Sequence, residues 1–127
     1  MTQEDKDLLL KDLCARLPYN VWVSYKTKYD DIERATILNG NYVRDIMEGT
    51  SSWIDFKPYL RPLSSMTEEE AVEYCDLQDK FLLSSQYPVT DGYALFDWLD
   101  KNMFDYRGLI PKGLALSTEI FNPYSNS

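Results

Sequence analysis

The 127-residue chain contains no histidine. That absence removes Ser-His-Asp and Cys-His nucleophiles, the HExxH zinc site and any imidazole general base. It has two cysteines, Cys14 and Cys75, which form neither a CxxC motif nor a zinc spacing. Both fall among apolar residues at helical spacing, so they are expected to be small core hydrophobes with free thiols. Arg16, two residues from Cys14, points off that helix face and leaves the thiol without an activating cation. No run approaches the roughly 18 apolar residues of a membrane span. Residues 1–16 are too charged for a secretion signal, so a cytoplasmic setting without a membrane is expected. The five glycines build no GxGxxG, GxSxG or EF-hand loop. Gly108-Leu-Ile-Pro-Lys-Gly113 has the gap of a phosphate loop, but Leu114 stands where the lysine belongs and Pro111 interrupts the amide donors.

Positive charge is scarce where negative charge is dense. The chain sets 13 Lys and Arg against 21 Asp and Glu, a net of −8. Residues 63–105 alone hold Lys80 and Lys101 against ten acids, while residues 1–19, 20–62 and 106–127 carry −1, zero and +1. Charge polarised in this way repels nucleic acid and attracts a basic partner, although a solvated helical face is the plainer reading. With 44% hydrophobic and 14% aromatic residues the chain can fill the core of one domain.

The periodicities give the organisation. Thr2 can cap a first helix with Glu4 and Asp5 in its opening turn, and Leu9, Leu10, Leu13, Cys14 and Leu17 form its apolar stripe. Pro18 ends it. Val21, Val23 and Tyr25 alternate as in a half-buried strand, and a polar loop follows from Lys26 to Glu33. Asn39-Gly40, between Ala35-Thr36-Ile37-Leu38 and Asn41-Tyr42-Val43, predicts a type I′ hairpin. After a turn at Gly49, Trp53-Ile54-Asp55-Phe56 reads as a fourth strand that Pro58 and Pro62 stop. Thr67 with Glu70 forms a capping box ahead of Ala71, Tyr74, Cys75, Leu77 and Phe81. Pro88 separates a last helix, capped at Thr90 or Asp91, with the stripe Leu95, Trp98, Leu99 and Met103. Leu114-Ala115-Leu116 reads as a returning edge strand. The expected fold class is α+β: a small twisted antiparallel sheet, approaching an SH3-like barrel, packed with about three helices. Residues 1–127 form a single domain in this reading: helix at 1–17, β-rich at 20–57, helical at 67–103, loop and short strand at 104–121, frayed tail at 122–127.

Three kinds of chemistry compete. The carboxylate pairs Asp76/Asp79 and Asp97/Asp100 could hold Mg²⁺ for a hydrolase, but they lie opposite the apolar stripes, where solvated acids are ordinary. Tyr19, Trp22, Tyr25, Tyr29, Tyr42, Trp53, Phe56 and Tyr59, interleaved with six cations, resemble a stacking surface for a nucleotide or single-stranded nucleic acid; alternating core rings are the plainer reading. Two loops each place Arg beside Tyr: Lys57-Pro-Tyr-Leu-Arg-Pro62 and Phe104-Asp-Tyr-Arg-Gly-Leu-Ile-Pro-Lys-Gly113. There Tyr59, Arg61, Tyr106 and Arg107 are either interface anchors or pins against acids of the helical half.

The stretches Lys57-Pro-Tyr-Leu-Arg-Pro-Leu-Ser-Ser-Met-Thr-Glu-Glu-Glu70 and Phe104-Asp-Tyr-Arg-Gly-Leu-Ile110, with the opening Met1-Thr-Gln-Glu-Asp-Lys-Asp-Leu-Leu-Leu10, resemble a family of short proteins of gut anaerobic bacteria, their phages and mobile elements. The resemblance covers about residues 1–20, 57–75 and 94–116, and the family carries no assigned activity. It implies a bacterial or phage cytoplasm and a small accessory protein. Relatives often place histidine just before Phe-Asp-Tyr-Arg, where this chain has Asn102 and Met103. The function expected is therefore a binding or adaptor protein acting on a protein partner, leaning away from catalysis, with no cofactor and no metal. Duplex nucleic acid is disfavoured, and the oligomeric state stays open. The candidate surfaces are the Arg/Tyr loops and an acidic face carrying Glu69, Glu73, Asp76 and Asp97.

Overall fold

The computed structural model describes residues 2–48, 53–84 and 94–124. Thr2 caps α1 (Gln3–Arg16), its hydroxyl accepting from the Asp5 amide at 3.1 Å, with Glu4 and Asp5 at the positive helix end. A 3₁₀ turn, Leu17–Tyr19, leads through Asn20 in the left-handed region into β1 (Trp22–Thr27). The chain folds back onto β2 (Arg34–Ile37), antiparallel, with Trp22 opposite Ile37 and Tyr25 opposite Arg34. Asp30 shapes this connection by accepting from the Ile32 amide and from both Arg34 Nη atoms at 3.0 Å.

The hairpin expected across Asn39-Gly40 does not form. Asn39 instead caps α2 (Gly40–Glu48), its Oδ1 accepting from the Tyr42 amide at 3.0 Å. Asparagine suits type I′ turns and N-caps equally, so the local signal is ambiguous. Burial breaks the tie: Val43 is buried in the cluster that holds α1, and Asn41 and Arg44 stay exposed. The span expected to be β-rich thus contains a helix.

β3 (Trp53–Leu60) runs through Pro58 rather than stopping at it, with Val23 opposite Pro58 and Ser24 opposite Lys57. The Leu38 amide bonds Val21 O, and the Thr118 amide bonds Leu60 O. By alternation, Lys57 bonds toward β1, and the missing Pro58 amide falls on the far side, before the next strand begins. A register shift between Ser24 and Lys26 marks a bulge, and Asp55 there takes φ 56°. β4 (Leu116–Ser117) pairs parallel to β3, giving the order β2-β1-β3-β4. The sheet is therefore mixed and open, not a closed antiparallel barrel, although the α+β class and a returning edge strand near 114–116 stand.

The capping box forms as expected: Glu70 N donates to Thr67 Oγ1 at 3.2 Å and Thr67 N to Glu70 Oε1 at 3.0 Å, opening α3 (Glu68–Ser84). α4 (Ala94–Lys101) ends with Met103 at φ 62°. Met103 N bonds Asp100 O at 3.1 Å and Phe104 N bonds Leu99 O at 3.0 Å, a Schellman closure with methionine in the position glycine usually takes. Four α-helices are thus present among the described residues, one more than expected. The expected turn at Gly49, the break at Pro88 and the cap at Thr90 or Asp91 lie outside them.

One face of the sheet carries the core: Leu9 and Leu13 of α1, Val21, Val23, Leu38, Val43, Leu60, Met103, Leu109 and Leu114. A second cluster joins Leu95, Leu99 and Phe104 to Tyr74, Leu77 and Trp98. Cys14 and Cys75 are exposed, which corrects the expectation that both pack inside. In α1 the inner positions beside Leu9 and Leu13 belong to Asp12 and Arg16.

A hydroxyl helps to fasten the segment after β4. Tyr124 Oη accepts from the Trp22 amide at 3.0 Å and donates to Tyr59 O at 2.9 Å, bridging β1 and β3. Burial pushes this hydroxyl's pKa up, so it stays protonated and can serve both strands. Tyr124 therefore holds the chain in the stretch expected to fray from Asn122. Tyr124→Phe leaves two part-buried backbone groups without their partner and is expected to cost about 1–3 kcal/mol. Urea unfolding reads this as a lower midpoint at unchanged slope.

Candidate functional site

The inner stripe of α1 reads Leu9, Asp12, Leu13, Arg16, and half of it is charged. Arg16 and Asp12 are each 0% exposed. Arg16 Nε meets both Asp12 oxygens at 3.0 and 3.1 Å, Nη2 donates to Phe104 O at 2.6 Å and Nη1 to Leu99 O at 3.5 Å. Arg107 Nη1 enters from the opposite side, 2.7 Å from Asp12 Oδ1 and 3.3 Å from Asp100 Oδ1. Tyr106 Oη donates to the same Asp100 oxygen at 2.9 Å, and its ring lies 4.4 Å from the Arg107 guanidinium carbon. Burial, helped by the Asp100 carboxylate, pushes the Tyr106 hydroxyl's pKa up. Two guanidiniums and two carboxylates thus neutralise one another where α1, α4 and the 104–107 loop meet. Among the described residues no buried side-chain nitrogen or oxygen lacks a partner.

The second Arg/Tyr loop is locked onto the first. Arg61 N donates to Met103 O at 2.7 Å, Asp105 N donates to Arg61 O at 2.8 Å, and Arg61 bridges Phe104 in parallel. The Arg61 guanidinium lies 4.2 Å above the Phe104 ring and grips both Glu70 oxygens at 2.7 Å, while Nη2 reaches Ser65 O at 3.2 Å. Asp105 turns inward to accept from the Leu109 and Ile110 amides at 2.8 and 2.9 Å. Gly108, at φ 73°, lets the chain reverse there.

The predicted residues therefore divide. Tyr59 is 6% exposed, Tyr106 is half-buried, and Arg61 and Arg107 are held in ion pairs by Glu70, Asp12 and Asp100. Glu69, Glu73, Asp76 and Asp97 are all exposed, and none of them enters an ion pair or hydrogen bond among the described residues. The first three recur at i, i+4 and i+7 on α3, which Tyr74 orients by stacking on Trp98 at 6.1 Å.

The rings proposed for stacking are scattered: Phe56 and Tyr59 are buried, Trp22 and Tyr25 half-buried, Tyr42 lies on α2 and exposed Tyr29 on a loop. Of the two carboxylate pairs, Asp97/Asp100 is divided, since Asp100 belongs to the buried network. Among the described residues, no group of three or more Cys, Asp or Glu side chains is placed to hold a metal ion. Sequence reasoning missed Asp12 and Arg16 and read Asp100 only as half of a carboxylate pair; the i, i+4 spacing of Asp12 and Arg16 within the apolar stripe was the available signal. The chain matches no family model, no curated protein and no solved structure.

Two outcomes follow from these contacts. Arg16→Met takes from buried Asp12 the partner of both its oxygens, leaving it Arg107 alone, and strips the Phe104 carbonyl of its Arg16 donor; it is expected to cost about 3–5 kcal/mol in urea unfolding. The Arg61 guanidinium, chiefly, holds the Glu70 carboxyl down at about 2 against an ordinary 4.5. A depressed folded pKa stabilises above the unfolded value and loses that contribution as pH falls. Unfolding free energy should therefore fall between pH 4.5 and 2, and fall less steeply in Arg61→Ala, with parallel curves counting against this origin.

Proposed function

We propose that this chain is a non-catalytic binding protein that docks on a basic surface of a protein partner through the exposed acids of α3 and α4. The observation that carries the reading is the division of labour among the candidate residues. The Arg and Tyr side chains able to anchor an interface are spent inside the fold, while Glu69, Glu73, Asp76 and Asp97 face solvent unpaired among the described residues.

Local structure explains why they stay there. The capping box fixes the start of α3, and Tyr74 and Leu77 turn inward against the α4 cluster, so the acids are left on the outer surface. Closely spaced like charges raise the local potential and steer a basic partner. A sharper form of the proposal is mimicry of nucleic-acid charge that occludes a phosphate-binding site. The resemblance of residues 57–70 and 104–110 to short proteins of gut anaerobic bacteria, their phages and mobile elements supports a bacterial cytoplasm as the setting.

The test compares the native protein with a variant carrying Glu69→Lys, Glu73→Lys, Asp76→Lys and Asp97→Lys, first checked for an unchanged circular dichroism spectrum. A partner captured from host lysate by the native protein should be lost by the variant. Its affinity should fall at least about tenfold as salt rises from roughly 0.05 to 0.5 M. Equal capture by both proteins, or a salt-independent affinity, removes the acidic face from the function.

A further inference from the structure

A second locus lies away from the acidic helices, beyond the carboxyl ends of β3 and β4. There five chain segments line an open hollow of about 460 Å³. The segments are the 3₁₀ turn after α1, the end of β3, the 63–65 turn, the end of α4 and the stretch after β4. β3 and β4 are the parallel pair of this mixed sheet. The chain leaves both strands at this end, and the segments that follow them line the hollow.

The polar groups on the wall are mostly donors without employment. Lys101 Nζ, Tyr19 Oη and Thr118 Oγ1 enter no hydrogen bond or ion pair among the described residues. The Asn122 carboxamide accepts from the Tyr124 amide through Oδ1, which leaves its NH₂ unspent. Arg61 also lies on the wall, but both of its Nη atoms are spent on Glu70 and Ser65 O, so it contributes a fixed, neutralised pair and no free charge. Glu119 is the carboxylate of this lining, and it is exposed and unpaired among the described residues. A wall with one unspent ammonium and several neutral donors suits a ligand rich in acceptors whose anionic group meets Lys101, while a single carboxylate beside them suits a hydroxyl. Met103, on the same wall, holds its left-handed conformation through the Schellman closure, which fixes where Lys101 leaves the helix.

We infer that this hollow binds a phosphate ester of a small polyol, with Lys101 facing the phosphate and Asn122 and Glu119 reading hydroxyls. A sugar phosphate and a nucleoside monophosphate share that chemistry, and Tyr19 could stack on a base only in the second. The site is separate from the acidic face, so its failure would leave the docking proposal standing.

Thermal unfolding with inorganic phosphate, ribose 5-phosphate and the four nucleoside monophosphates tests it. At about ten times Kd an ester should raise Tm by roughly 5 °C, and inorganic phosphate, lacking hydroxyls, by clearly less. Lys101→Ala, at an exposed position, should keep the unliganded Tm and lose the shift; Asn122→Ala should reduce it. A shift confined to the nucleotides identifies the base-bearing source, and one shared with ribose 5-phosphate identifies the sugar phosphate. The inference is overturned if no ester shifts Tm at about 10 mM, if inorganic phosphate matches the esters, or if the shift survives in Lys101→Ala.

Discussion

Arg16 is a fully buried cation, and the rest of the structure is arranged to make that tolerable. An unpaired guanidinium in the interior costs several kcal/mol, so each of its donors must find an acceptor. Asp12 supplies one side of the pairing from the same helix, and the carbonyls of Leu99 and Phe104 supply the other from the end of α4. Satisfying Arg16 therefore fixes where α4 stops. Phe104, placed by that stop, becomes the platform for the Arg61 guanidinium, and Arg61 in turn holds Glu70 at the start of α3. One buried charge thus orders a chain of contacts running from the first helix to the origin of the acidic surface.

Much of this fold was legible in the sequence where the signal is local. The Thr2 cap, the Thr67/Glu70 capping box and the inward Leu95 and Leu99 depend on residues a few positions apart, and all appear as read. The failures share a cause, in that a distant neighbour decided between two locally acceptable states. Asn39-Gly40 serves a turn or a cap equally well, and Val43 packing selects the cap. Pro58 forbids an amide bond on one side, but a strand has two sides, and β1 uses the other. The apolar-stripe rule placed Cys14 inside because it does not count charged residues as core, yet Asp12 and Arg16 occupy those positions once Arg107 and Asp100 arrive from nearly the far end of the chain.

The two Arg/Tyr motifs stood out because they are denser in special residues than simple packing requires. Their contacts explain the density without a ligand. Phe104 fills the second core cluster, Asp105 caps two amides, Tyr106 and Arg107 satisfy Asp100 and Asp12, and Gly108 turns the chain. Pro58, Tyr59 and Leu60 are buried, and Arg61 joins the two motifs edge to edge. The residues of these stretches therefore serve the fold before any partner. The candidate sites were less legible than the fold, because free acids and unspent donors are defined by what fails to contact them.

That distinction bears on the acidic helix itself. Glu68, Glu69 and Glu70 lie in the first turn of α3, where the positive helix end favours carboxylates. Glu73, Asp76 and Asp79 lie beyond its reach and repel their neighbours at i, i+3 and i+4 by about 0.2–0.5 kcal/mol per pair. No basic residue occupies the last turn, and Lys80, the helix's single cation, stands at i+4 from Asp76 and offsets that acid alone. A helix shaped for stability alone would alternate signs along this face. The retained repulsion is a cost in the isolated protein that a basic partner would turn into attraction, and that is the physical ground on which the docking proposal rests.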